Sequence, residues 1–236
     1  MRDYIQMKTK LNNENKRYER KFVVKELEMK KVEYIIMSNP FIFSEIFQER
    51  RVNNLYLDDF YNNNYIDNLV GNTNRIKIRI RWYGETLGYI KKPILEIKIK
   101  NGELGNKMSF PLKSFTIDKN FSKNKIQSIL FSSNLPKEIM NQVIRIEMVL
   151  LNSYKRKYFL SSNKKYRITL DREILFFRIK SYNNHFFETK TYDNKLILEL
   201  KYNKEDDDYV DVITNYFPFR LDKSSRYIDG IDILEI

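Results

Sequence analysis

The chain has 236 residues, a formal net charge of +12 and no cysteine, with an isoelectric point near 9.5. Thiolate chemistry, disulfides and cysteine zinc sites are excluded, and phosphate-rich partners are favoured. No apolar run approaches the ~20 residues of a membrane helix, and the start, MRDYIQMKTKLNN, lacks a signal-peptide core. A soluble cytoplasmic protein is expected, forming a single domain over 1–236, with the polar, aperiodic residues 1–16 a frayed lead-in.

In chain order, RYERKFVV reads as a first strand, with Arg17, Glu19 and Lys21 on one face, and residues 25–37 as one surface helix that stops before Ser38-Asn39-Pro40. Residues 50–61 are aromatic and β-prone, and the Asn-rich stretch 62–74 is expected to be a loop. RIKIRIRWY follows, in which Arg75, Lys77, Arg79 and Arg81 alternate with Ile76, Ile78, Ile80 and Trp82. Period-two alternation is the mark of a strand with unlike faces, and it sets four cations about 6.5 to 7 Å apart. Such a stripe is either a solvated edge that resists aggregation or the floor of an anion site.

The pattern recurs. Glu96, Lys98 and Lys100 share a face in ILEIKIK, which ends at the hairpin signal Asn101-Gly102; Arg167, Thr169 and Asp171 share one in YRITLD, and Glu199 and Lys201 one in LILELKY. A solvated sheet satisfies this pattern, and so does a closed barrel lined by ions and an anionic ligand. Between these segments, Lys107–Leu112 reads as a short strand, and helices are expected within 122–132 and over 137–150, where Ile139, Val143, Ile146 and Leu150 form a stripe. SYKRKYFLS reads as a further strand. Residues 205–217 have an acidic start suited to a helix N-terminus; the calcium-loop spacing and its glycine are missing. Asp171 is open to metal binding, although an aspartate closing a strand is more often a turn former, and Glu96 is equally open to the role of counter-ion for an arginine. The only histidine, His185, is read as incidental, and six glycines give no phosphate-cradling loop.

The succession RYERK, LYLDD, KIRIRWYG, ILEIKIK, YKRKYF, YRITLD, LILELKY and KSSRY, spanning residues ~17 to ~231, resembles the polyphosphate polymerase domain of the vacuolar transporter chaperone (VTC) family, within the triphosphate tunnel metalloenzyme superfamily. The resemblance implies an α+β fold: an antiparallel eight-stranded β-tunnel with flanking helices, basic residues that grip a triphosphate, and Mn²⁺ or Mg²⁺ on a glutamate. Lys21, Arg79, Arg81, Lys98, Arg156 and Arg167 stand at its catalytic cations. Lys107 stands at a further lysine, and Lys223, Ser225 and Arg226 fall on its K-x-S-K segment; Lys77 and Lys201, in phase with these cations, join them as substrate contacts. Glu199 stands at the metal-binding glutamate, with Glu19 as a second candidate.

Two departures are visible. Arg226 replaces a lysine, which keeps charge but changes geometry, and Glu19 stands alone where superfamily hydrolases carry E-x-E-x-K. The second favours polymerase-type membership: γ-phosphoryl transfer from ATP to a growing polyphosphate chain, with ADP released. ATP and inorganic polyphosphate or triphosphate are the implied partners, with no specific nucleic acid; the family's attached membrane and sensing domains leave room for a separate membrane partner. The alternatives are a triphosphatase or nucleotidyl cyclase on the same scaffold, or a non-enzymatic polyphosphate or nucleic-acid binder.

Overall fold

The structure is a computed structural model and describes residues 17–25, 27–101, 104–185, 190–193 and 195–236; the expected lead-in over 1–16 lies outside these. Its strands are β1 (Arg17–Val24), β2 (Ser44–Asp58), β3 (Asn74–Tyr83), β4 (Gly88–Ile90), β5 (Ile94–Asn101), β6 (Leu104–Pro111), β7 (Phe115–Ile117), β8 (Glu147–Leu160), β9 (Arg167–Arg178), β10 (Lys190–Asp193) and β11 (Leu196–Asn203). Helices α1 (Met29–Met37), α2 (Asn63–Val70), α3 (Lys123–Ser132), α4 (Lys137–Val143), α5 (Val210–Asn215) and α6 (Arg226–Leu234) flank them.

Eight antiparallel strands run in the order β1-β11-β9-β8-β2-β3-β5-β6, with β10 appended to β9 and β4 paired to β7 apart from them. The expected α+β antiparallel eight-stranded architecture is thus present. The ladder is not a closed circuit, because β1 and β6 remain its two edges and do not pair with each other. The sheet nonetheless curls on itself: Glu19 on β1 and Lys98 on β5, from opposite ends of the strand order, meet at 3.5 Å.

Strand alternation decides which face is concave. Ile78, Ile80, Trp82, Leu95 and Ile97 pack under α3 and α4 through Ile126, Leu130, Ile139 and Val143. Phe22, Leu198, Leu200 and Ile168 pack under α1 and α5 through Val32, Ile36 and Ile213. Both apolar faces are therefore convex and helix-covered, and the charged partners of the same strands are turned inward. At one end the concave face is itself apolar and is covered by α6, whose Tyr227 and Ile231 lie on Tyr56, Leu150 and Phe176.

Several local expectations shift. The strand expected from residue 50 begins at Ser44, and the helix expected over 137–150 ends at Val143, because residues from Glu147 pair with β2 and β9. The apolar stripe at helical spacing is overridden by two ladders of hydrogen bonds. The Asn-rich loop holds α2, whose first turn is capped from the preceding strand: Asp58 accepts from the backbone N–H groups of Asn64 (3.0 Å) and Tyr65 (2.9 Å). Gly71, at φ +81°, ends that helix in the left-handed conformation that glycine adopts without strain. The helix expected over 205–217 opens as a 3₁₀ turn over Lys204–Tyr209.

Candidate anion tunnel

The centre of the concave face is built on β3 and β5, whose register sets Arg79 opposite Glu96 and Lys77 opposite Lys98. Arg79 donates to Glu96 Oε2 from Nε (2.8 Å) and from its terminal nitrogen (2.7 Å), and Lys107 donates to Oε1 (2.9 Å). Arg81 stands 3.6 Å from the same carboxylate. Burial alone would raise the Glu96 carboxyl; Arg79 and Arg81 outweigh it and bring it down to about 2. Glu96 is the counter-ion of the arginine pair. Arg81 is aimed from its other side by an amide relay, donating to Asn54 Oδ1 (2.9 Å) while Asn54 donates to Asn152 Oδ1 (2.8 Å).

Beside this lies a second cation pair. Arg156 on β8 donates through two nitrogens to Asp171 on β9 (2.5 and 2.7 Å), and Arg226, at the first turn of α6, donates to the same carboxylate. Asp171 is fully buried. Tyr154 is enclosed between these guanidiniums, with Arg226 4.5 Å and Arg156 5.1 Å from its ring centroid, and Arg81 donates to its hydroxyl at 3.4 Å. Burial pushes the phenol up, yet the fields of Arg156, Arg81, Arg226 and Arg79 prevail and bring it to about 6. Burial and its cationic neighbours in turn lower Arg226 to about 10, against the opposing field of Tyr154.

The third part closes across the seam. Glu19 lies 3.2 Å from Lys21, and Glu199 lies 3.4 Å from Lys201 and 3.7 Å from Arg156. Burial would raise the Glu19 carboxyl, but a hydrogen bond with Glu199 and the ammonium groups of Lys21, Lys201 and Lys98 hold it well below the usual carboxylate range. Two neighbouring carboxyl groups offer hard oxygen donors to a divalent cation. One or two carboxylates, completed by water and substrate phosphate, is a donor set that suits Mg²⁺ or Mn²⁺, so Glu19 and Glu199 fit such an ion. Among the described residues no cluster of three or more His, Asp or Glu side chains could hold a metal without such outside ligands. Lys77 donates to Ser225 Oγ (2.7 Å) and Lys21 to the Ser224 carbonyl (3.2 Å), which ties the segment before α6 across the cavity. Burial, with repulsion from Lys21, Lys98, Arg79 and Arg75, lowers the Lys77 ammonium to about 7.

Cationic side chains thus outnumber the carboxylates Glu19, Glu96, Asp171 and Glu199 on one concave surface, an arrangement that anionic oxygens would relieve. Most of the residues singled out from sequence meet there. Arg167 sits exposed at the end of β9 opposite Lys201, and Lys223 is exposed before α6. Sequence reasoning missed Tyr154, Asn54 and Asn152, and misread Asp171, which holds two arginines and is no turn former. The phase of β8, in which Tyr154 alternates into line with Arg156, was the available signal for the tyrosine.

The curled antiparallel sheet with an inward cationic face is a tunnel-like fold, and solved structures of the same fold align over almost the whole chain. An adenylate cyclase candidate of Vibrio parahaemolyticus aligns with TM-score 0.51 and 10% identity over 92% of this chain and 97% of its own. A protein of Pyrococcus horikoshii OT3 aligns with TM-score 0.52 and 10% identity over 92% and 99%. A Hippeastrum adenylyl cyclase candidate, described as having a dominant triphosphatase activity, aligns with TM-score 0.51 and 12% identity over 91% and 96%. No curated protein matches the chain. The VTC domain family model matches residues 16–235, and the chain belongs to that family.

Proposed function

We propose that the protein is a metal-dependent polyphosphate polymerase that transfers the γ-phosphoryl group of ATP to a growing polyphosphate chain. The observation that carries the reading is the convergence of Arg79, Arg81, Arg156 and Arg226 with Lys21 and Lys77 on one half-buried concave face beside a carboxylate pair. Phosphoryl transfer needs positioning and charge stabilisation more than covalent participation, and this surface supplies both. Membership of the VTC family supports the polymerase outcome over hydrolysis.

In this reading Arg79 and Arg81, preset by Glu96 and Asn54, hold phosphate oxygens of the nucleotide, and Lys98 holds the terminal phosphates near the seam. Lys21, Lys77 and Lys201 keep the acceptor anion against the donor. An acceptor oxygen attacks the γ-phosphorus in line, a new P–O bond forms, the β–γ bridging bond breaks, and ADP leaves with the electron pair. Arg156 and Arg226 lie where charge accumulates. When bound, Mn²⁺ or Mg²⁺ on Glu199 and Glu19 supplies charge neutralisation at the phosphates. The reaction belongs in the cytoplasm, where ATP is held; among the described residues no helix is long and apolar enough to cross a membrane.

Incubation with ATP and Mn²⁺ should yield ADP together with an acid-labile polymer. ADP with only free phosphate would favour the triphosphatase reading, for which the Hippeastrum protein's described activity is the specific support. Pyrophosphate release would identify a cyclase.

A further inference from the structure

Beyond Arg81 and Arg156 the concave face ends in a cluster of rings. Tyr83 follows Arg81 by two residues on β3, on the same face and about 7 Å further along, and Tyr158 follows Arg156 in the same way on β8. Arg156 pairs with Arg50 across β8 and β2, so the rings around Arg50 adjoin the arginine clamp. Phe47, paired with Tyr158 across β2 and β8, meets its ring edge-on with centroids 5.8 Å apart. Phe47 is 49% and Tyr83 51% exposed, although large aromatic rings ordinarily bury most of their surface. The Arg50 guanidinium stands among them, 4.7 Å from the centroid of Phe47, 5.7 Å from Tyr158 and 6.0 Å from Tyr83. A flat cationic group already finds a place among these faces.

Resting on the triphosphate-tunnel reading, we propose that Phe47, Tyr83 and Tyr158, with Arg50, form a stacking site for the nucleobase of a nucleoside triphosphate whose phosphates lie on Arg81 and Arg156. One ribose bridges the step from the arginines to the rings. Stacking on aromatic and guanidinium planes tolerates any base, because every base presents a π-face. The site therefore distinguishes a nucleotide from a bare polyphosphate without choosing strongly among nucleotides. It also gives the tunnel a direction, with the donor's base at the ring-lined mouth and the acceptor at the lysines of the seam.

The test is equilibrium binding to the full chain in EDTA, where no turnover occurs, of ATP and of ribose 5′-triphosphate, which has the same phosphates and no base. The expected result is that ATP binds about tenfold tighter. Phe47→Ala, Tyr83→Ala and Arg50→Ala should each shrink that ratio and leave ribose 5′-triphosphate unchanged; all three side chains are exposed, so folding is not at stake. Equal affinity of the two ligands for the wild-type protein would overturn the base site while leaving the tunnel reading intact. Equal weakening of both ligands by the variants would overturn it too, since the rings would then only shape the wall. Failure of both ligands to bind the wild-type chain would remove the tunnel reading and this inference together.

Discussion

Asp171 accepts hydrogen bonds from Arg156 and Arg226 while fully buried, so its single charge allows two guanidiniums to stand side by side against Tyr154. Removing one partner from such a buried arrangement leaves uncompensated charge, which costs about 3 to 5 kcal/mol. Asp171→Asn should lower stability on that scale in urea unfolding, and millimolar triphosphate should restore part of the loss by supplying the missing anion. A variant of wild-type stability would show that the pair is held from elsewhere. Glu199 is different, because its neighbours Lys201 (3.4 Å) and Arg156 (3.7 Å) are not its exclusive partners. Glu199→Gln keeps size and hydrogen bonding but is a poorer ligand for a hard cation. It should abolish turnover while nucleotide binding, measured in EDTA, persists; an active variant with the wild-type Mn²⁺ titration would reject the metal role.

At the scale of elements, α6 joins packing to chemistry. Its apolar face lies on the concave sheet, and its first turn carries Arg226 to Asp171, with Ser225 just before it meeting Lys77. Gly230 makes the close approach possible: an added Cβ would collide with Leu150 Cδ2 and lie 2.8 Å from Phe176 Cδ1, both on fully or nearly fully buried side chains. Alanine ordinarily favours a helix over glycine by up to about 1 kcal/mol, whereas overpacking costs about 1 to 3. Gly230→Ala should therefore destabilise on balance. Because it lifts the turn that carries Arg226, it should also weaken triphosphate binding in the same preparation. Unchanged affinity with lowered stability would separate the helix from the site. The strands of this region were legible from alternation alone, since Ile, Leu and Val on one phase with Lys, Arg and Glu on the other admits one pleat. The place of α6 was not legible, because nothing in RYIDGIDIL states that its partner is the inside of the sheet.

For the whole molecule the governing fact is surplus positive charge on an inward face. Triphosphate should raise the thermal midpoint by far more than monophosphate at equal ionic strength, because several cations converge on one ligand; equal shifts would mean a diffuse basic surface. The pH dependence has a definite sign. Lys77 is lowered from 10.5 to about 7 and Tyr154 from 10.0 to about 6 in the folded, ligand-free protein. The unfolded chain then binds more protons than the folded one between those values, so both groups make the ligand-free protein more stable as pH rises from about 6. A bound polyanion favours protonated Lys77 and neutral Tyr154, so its affinity should fall over the same range and binding should take up protons. Calorimetry in two buffers of different ionisation enthalpy, near pH 7.5, checks this. Tyr154→Phe should reduce the uptake.

The charge-alternating strands, their two faces and the family were legible in the chain itself, because side-chain alternation and motif order are local properties; the start of β8 was not, because its apolar residues also fit a helical stripe. Alternation also placed Arg79, Arg81, Lys98 and Glu199 on charged faces. Which of those faces is concave depended on where the helices lie, and helices α3 and α4 on one half and α1 and α5 on the other cover the apolar sides. The partnership of Asp171 with Arg226, 55 positions apart, and of Glu19 with Lys98 across an unpaired seam, followed only from the curl of the sheet. Charge at those distances in sequence has no partner until the twist of eight strands brings it one.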